Sequence, residues 1–131
     1  MFSHVMLGVN NLETSKKFYD ALLGTLGMGP GVGNKSRYFY RSPTGTFGIT
    51  TPINGEAAFH GNGCTVSFNM TSPEQADAFH AAGVANGGTT CEDPPGLREG
   101  PKNWGSDSYW IASHSQPFWM TSRISTRRCG A

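Results

Sequence analysis

The sequence predicts an α+β protein made of one βαβββ unit used twice, and three observations carry that reading. A strand followed by a helix occurs in each half, and the two pairs match in spacing: His4 to Phe18 and Thr65 to Phe79 are both fourteen residues apart, at an offset of sixty-one. Only two segments show the three- and four-residue apolar steps, or the start and stop signals, of a helix. Eighteen Gly and eight Pro among 131 residues favour short strands joined by turns over further helices. The expected organisation is a single domain over 1–131, with module 1 at 1–54, a linker at 55–62 and module 2 at 63–125. A chance match between two unrelated strand–helix units is the competing account. A module of roughly 60 residues cannot bury its sheet face alone, so the two must pack together or exchange with a second chain.

The elements follow in order. Phe2 to Val9 is mostly apolar or β-branched and ends at Asn10-Asn11, which marks a buried strand. Asn11 caps a helix whose apolar positions Leu12, Phe18, Tyr19, Leu22, Leu23 and Leu26 fall on one face, with Gly27 as its stop. Met28 to Asn34 (MGPGVGN) reads as loop. Its glycines follow a helix and precede a strand, the reverse of a phosphate-binding loop. Arg37 to Arg41 (RYFYR) and Thr46 to Ile53 form a hairpin around Ser42-Pro43-Thr44-Gly45. Cys64 to Met70 opens the second unit. Ser72-Pro73-Glu74-Gln75 then starts a helix, with Ser at the cap, Pro in the first turn and Gln at the capping-box position, and Gly87-Gly88 stops it. Thr89 to Glu92 reads as a short strand and Asp93 to Asn103 as loop. Tyr109 to Ser113 and Phe118 to Ile124 form a last hairpin turning at His114 to Pro117.

Composition narrows the function. Charged residues are 15% of the chain, against about 25% in an average soluble protein, and the formal net charge is +1. That balance offers no footprint for nucleic acid or an anionic membrane. No run approaches the roughly 18 apolar residues of a spanning helix, and the polar first twenty residues hold no export signal. The three cysteines, Cys64, Cys91 and Cys129, are spaced for neither a zinc ribbon nor a disulfide framework. A reducing cytoplasm is the expected compartment.

The stretch HVMLGVNNLETSKKFYDALLGTLGM, His4 to Met28, resembles the first module of the vicinal oxygen chelate superfamily of glyoxalase I, bleomycin and fosfomycin resistance proteins and extradiol dioxygenases. The residues that carry the likeness are His4, Asn11-Leu12, Ser15, Phe18-Tyr19 and Leu26-Gly27. FYRSPTGTFGITTPINGE and SPEQADAFHAAGVANGGTTCEDPPGLREG are similar to the small glyoxalase-like members, so the resemblance covers about residues 1–100. It implies a cupped, partly open mixed β-sheet barrel of two βαβββ modules and a homodimer, with modules packed within a chain or exchanged between chains. Beyond residue 100 the usual turn and the metal-binding Glu that follows it are missing from NWGSDSYWIASHSQPFWMTSRISTRRCGA. Either the last hairpin has diverged or its reading differs, as a shifted reading frame would produce.

The resemblance also implies one divalent ion (Zn, Ni, Mn or Fe), held by His or Gln and Glu from the first and last strand of each module, which polarises a small oxygen-bearing substrate. His4 matches the first ligand. Thr65 stands at its counterpart, and neither Phe47 to Thr50 nor Phe118 to Ser122 holds a carboxylate. His60 would have to swing in to replace Thr65. A structural or substrate-contacting His4 and a solvated His60 are the plainer alternatives. His80, beside Phe79, is expected to pack. Glu56, Glu92 and Asp93 are expected in solvent, and Cys64 and Cys91 as buried thiols.

The candidate substrate contacts are Arg37, Tyr38, Tyr40 and Arg41 on one hairpin strand, together with Trp104. Alternate strand residues face one side, so either Tyr38 and Tyr40 with His4, or Phe39 with the arginines, would face the cavity. An inward Arg suits a carboxylate or phosphate. Two functions remain open: a glyoxalase-like lyase, isomerase or dioxygenase, and a metal-free binding protein of the bleomycin-resistance type. Either takes a small molecule as its partner.

Overall fold

The computed structural model describes residues 1–59 and 66–90 in full, together with the backbone of 96–98, 108–115 and 118–125. His60, Cys64, Thr65, Cys91, Glu92, Asp93 and Trp104 lie outside the described residues. In chain order the elements are β1 (His4–Gly8), α1 (Leu12–Gly24), β2 (Val32–Asn34), β3 (Arg37–Ser42), β4 (Gly45–Thr50), β5 (Asn69–Met70), α2 (Pro73–Ala85), β6 (Gly88–Thr90), β7 (Gly96–Arg98), β8 (Ser108–Ser115) and β9 (Phe118–Ser125).

Two mixed sheets of matching topology result. The first has the order β1-β4-β3-β2, with β1 parallel to β4. The second runs β5-β9-β8-β6, with β5 parallel to β9 and β7 also paired to β8. In each half the first strand lies beside the last, and a helix connects the first strand to the rest. The fold is α+β, as expected, and neither sheet closes on itself.

Both helices start where their caps place them. The Asn11 side chain accepts from the Thr14 N–H at 2.9 Å, and the Ser72 hydroxyl accepts from the Gln75 N–H at 3.1 Å. The Gln75 side-chain oxygen reaches back to the Thr71 N–H at 2.8 Å, so two otherwise orphaned donors are satisfied. Gly27 and Gly87, with φ of +78° and +98°, occupy the left-handed region just past each helix. α1 ends at Gly24, short of Gly27, because Thr25, Leu26 and Gly27 bond three residues back rather than four.

Several readings of loop and strand change: His114 and Ser115, expected in the turn of the last hairpin, are strand residues paired with Trp119 and Phe118, and β4 stops at Thr50 rather than Ile53. Val32–Asn34 is a strand, not part of a loop: Val32 pairs with Phe39 and Asn34 with Arg37 across a two-residue turn in which Lys35 takes φ 54°. Gly96–Arg98 is likewise a strand, paired with Trp110 to Ser108, although it lies within a Pro- and Gly-rich stretch. Three ladder residues are too few to leave a period in the sequence, so pairing with a longer neighbour decides them. Conversely, of the described part of the expected Cys64 to Met70 strand, residues 66–70, only Asn69–Met70 makes a ladder. Val66 and Phe68 are held by side-chain packing on the core instead.

Among the described side chains the core lies between α1, α2 and one face of the first sheet. Val9, Tyr19, Leu22, Leu23, Ile49 and Ala76 are wholly buried, with Tyr40, Phe79, Met70, Phe18 and Phe47 nearly so. An aromatic chain links the halves: Tyr19 to Phe47 at 4.9 Å, Phe47 to Phe68 at 5.3 Å and Phe68 to Phe79 at 5.9 Å between ring centroids. Offset or edge-on rings at such distances add about 0.5–1.5 kcal/mol per pair to the area they bury. The Gln75 amide also donates to the Thr25 carbonyl at 3.2 Å, tying the start of α2 to the end of α1.

Candidate functional site

Strand alternation gives the first sheet two unlike faces. In register, His4 pairs with Thr46 and Thr46 with Arg41; Met6 pairs with Gly48 and Gly48 with Phe39; Gly8 pairs with Thr50 and Thr50 with Arg37. These three rows face away from α1. They form the floor of a groove of about 820 Å³, which Ser3, Thr51 and Ile53 complete. The intervening residues, Leu7, Val9, Tyr38, Tyr40, Phe47 and Ile49, belong to the core side.

Of the two possible inward sets, the structure selects Phe39 with the arginines and adds His4 to it. Tyr38 and Tyr40, expected as substrate contacts, lie on the opposite face, away from this groove. Tyr40 is 1% exposed, and its hydroxyl donates to Asp20 Oδ1 at 2.9 Å. Tyr38 is half-buried over α1 and donates to Glu13 at 2.8 Å, with the Lys16 ammonium 5.3 Å from its ring centre. The physical reason is parity: five apolar positions of α1 need a partner face, and the aromatic residues of β3 supply it.

Asp20 anchors this underside. Its carboxylate accepts from the Gly31 N–H at 2.9 Å and from Tyr40, and it pairs with Lys16. Burial alone would raise its pKa, but the Gly31 N–H, Lys16 and Tyr40 together hold it below the usual carboxylate value. Gly31 fits only because it lacks a side chain, since a Cβ there would stand 2.8 Å from the Tyr40 ring. The segment leading into β2 is thus pinned to α1 from below, while the groove above is left open.

The groove has a polar end and an apolar middle. At one end Arg41, Thr46 and His4 stand side by side on adjacent strands, which lie about 4.8 Å apart. His4 Nδ1 is 2.8 Å from the Ser3 hydroxyl. The middle is Phe39 and Met6 closing over Gly48; a Cβ on Gly48 would collide with the Met6 thioether and stand 3.2 Å from the Phe39 ring. At the far end Thr50 is already engaged, donating to the Thr51 carbonyl at 2.9 Å. Arg37 and Arg41 make no ion pair among the described residues. The loop beyond β4 is fixed by Asn10, whose side chain donates to the Ala58 carbonyl at 3.0 Å and accepts from the Ala58 N–H at 2.7 Å.

These residues do not fit a divalent cation. The described floor supplies one imidazole, no carboxylate and two guanidinium groups, and no cluster of three or more His, Cys, Asp or Glu occurs among the described residues. The fixed positive charge of Arg41, in the same row as His4, opposes a cation there, and Arg37 adds a second positive charge farther along the same face. His80, expected to pack, faces Thr90 with Nε2 2.9 Å from its hydroxyl and so joins α2 to β6. Ser3, Met6, Thr46 and Thr50 were not singled out from the sequence. The signal that finds them is two-residue alternation counted outward from His4 and Arg41 once the strand register is known.

A second cavity of about 340 Å³ lies at the junction of the halves, between the start of β1 and β4 and the segment 66–69. His4 lines both cavities. Among the described residues no helix is long and apolar enough to cross a membrane.

No protein-family model matches the chain, and no curated protein does. Solved structures do match. A glyoxalase/bleomycin resistance protein from Albidiferax ferrireducens T118 is 63% identical, with a TM-score of 0.87 over 95% of this chain and 98% of that one. A putative glyoxalase from Bacillus halodurans is 18% identical (TM-score 0.71, 95% and 96% covered). A glyoxalase-related enzyme from Fulvimarina pelagi is 16% identical (TM-score 0.69, 95% and 88% covered). The last two show the shared fold only. Coverage of 95% of this chain extends past residue 100. At 63% identity over nearly the whole of both chains, this protein belongs to the glyoxalase/bleomycin resistance protein family of the vicinal oxygen chelate superfamily.

Proposed function

We propose that this chain is a small-molecule-binding member of its family, which holds its ligand in the groove of the first sheet through side chains rather than through a chelated metal ion. One observation supports the reading above the others: His4, the residue that the family resemblance offers as a metal ligand, shares its face with Arg37 and Arg41 and with no carboxylate. An imidazole, two guanidinium groups and a threonine hydroxyl are hydrogen-bond donors toward an oxygen-bearing molecule. Phe39 and Met6 give that molecule an apolar surface. The reading is that of a binding protein of the bleomycin-resistance type; a glyoxalase-like lyase, isomerase or dioxygenase is what it competes with. A homodimer that covers the open groove is part of the proposal, supported by the exposed Phe2, Val32 and Ile53 around the first sheet.

The deciding experiment is metal content per chain in protein freed of chelator, on the wild type and on His4→Ala, after incubation with Ni, Zn, Mn or Fe. The expected result is less than one-tenth of an equivalent in both. A near-stoichiometric ion that disappears in His4→Ala would overturn the binding-protein reading and restore the metalloenzyme.

A further inference from the structure

Resting on that reading of the groove, we infer that its ligand is an organic anion: a carboxylate or phosphoryl head seated among Arg41, Thr46 and His4, with an apolar or aromatic body lying over Phe39 and Met6. The ends of the groove are unequal. The Arg41 row carries three side-chain donors on three neighbouring strands, brought together by the register His4 with Thr46 and Thr46 with Arg41. The Arg37 row ends in Gly8, and its threonine hydroxyl already donates to a backbone carbonyl. An acidic head therefore meets more donors at the Arg41 end.

The donors suit an anion in kind as well as number. The guanidinium is planar, always charged and shaped for two parallel bonds to a carboxylate or phosphoryl group. In the tautomer whose Nδ1 accepts from the Ser3 hydroxyl, 2.8 Å away, Nε2 carries the ring proton and is a further donor. Thr46 Oγ1 makes no hydrogen bond among the described residues. Arg37, four residues along β3 and so about 13 Å away, adds a second positive charge to the same face. Between the two cations the floor is apolar, because Met6 and Phe39 fill the space that a side chain at position 48 would take. A neutral polar molecule leaves the cations unpaired, and an inorganic ion leaves the apolar floor uncovered. Only an anion with a body satisfies both.

The test titrates isotopically labelled full-length protein with three probes followed by NMR: 4-phenylbutyrate, phenyl phosphate and the neutral 4-phenylbutyramide. We expect shifts at the amides of Met6, Phe39 and Thr46. At least one anion should bind tenfold or more tighter than the amide, and the tighter of the two separates a carboxylate ligand from a phosphoryl one. Arg41→Gln should weaken the anions by tenfold or more and the amide by less than twofold, with Arg41→Lys in between. Equal binding of amide and anions would overturn the inference while leaving the groove as the binding site. Binding of no probe at those amides would overturn both. A folded Arg41→Gln protein that binds the anions unchanged would show that the guanidinium serves another partner, and would also overturn the inference.

Discussion

The two faces of the first sheet are built from the same strands, yet they obey different rules. The underside is packed: Phe47 and Ile49 of β4 and Tyr40 of β3 are at most 7% exposed against α1. The upper face alternates with it residue by residue and carries His4, Arg37, Arg41 and the half-buried Phe39, in a groove that nothing among the described residues fills. Stability is therefore concentrated on one face, and the other is free to hold groups that a core excludes. A substitution of β3 or β4 should show which face it touches by whether it changes unfolding or binding.

The largest expected contrast is between two phenylalanines on adjacent strands. Phe47→Ala removes the ring that joins Tyr19 to Phe68 and should cost about 3–5 kcal/mol, with a matching fall in the denaturant midpoint. Phe39→Ala, on the groove face, should cost about 1 kcal/mol or less while weakening an apolar ligand. Equal losses from the two would mean that the faces are not energetically distinct.

Asp20 gives the next largest effect and a pH signature. Removing its bonds to Gly31, Lys16 and Tyr40 by Asp20→Ala should cost about 1.5–3 kcal/mol at pH 7. Because the folded carboxyl pKa is lowered, the stability it contributes is fully present above the ordinary carboxylate value near 4, and it is lost as the pH falls through the folded value. Unfolding curves from pH 7 to pH 2.5 should show that part of the acid-dependent loss in the wild type and not in the variant. Parallel curves would mean that the carboxylate is not held as described.

The smallest effect has the opposite sign. The Tyr19 hydroxyl is buried without a hydrogen-bond partner among the described residues, and burial pushes its pKa well above the usual tyrosine value. Tyr19→Phe deletes that unsatisfied group and keeps the ring, so stability should hold or rise by up to about 1 kcal/mol. A loss of 2 kcal/mol or more in thermal unfolding would reveal a partner for the hydroxyl.

Much of the fold was legible from single residues. Asn11, Ser72 and Gln75 mark helix starts because their side chains satisfy the first N–H groups of a helix wherever it lies. The Pro43-Thr44 turn and the two strand–helix pairs were legible for the same local reason. Val32–Asn34 and Gly96–Arg98 were not, because a three-residue strand exists only through the partner beside it. The candidate site was legible in part: Arg37, Arg41 and His4 stood out by type, whereas Tyr40 looked equally suited and is a core residue. His60 and Trp104 lie outside the described residues.

By itself, then, the sequence determined the helices, their caps, the first hairpin, the doubled strand–helix plan and the family likeness, all of which rest on spacing along the chain. Only the tertiary structure decided which side of β3 faces α1. In a strand every second residue points the same way, so one residue of slip exchanges the two faces. Burial of Tyr40 and Phe47 against α1 removes that freedom, and the same register brings Arg41, Thr46 and His4 together on the open side.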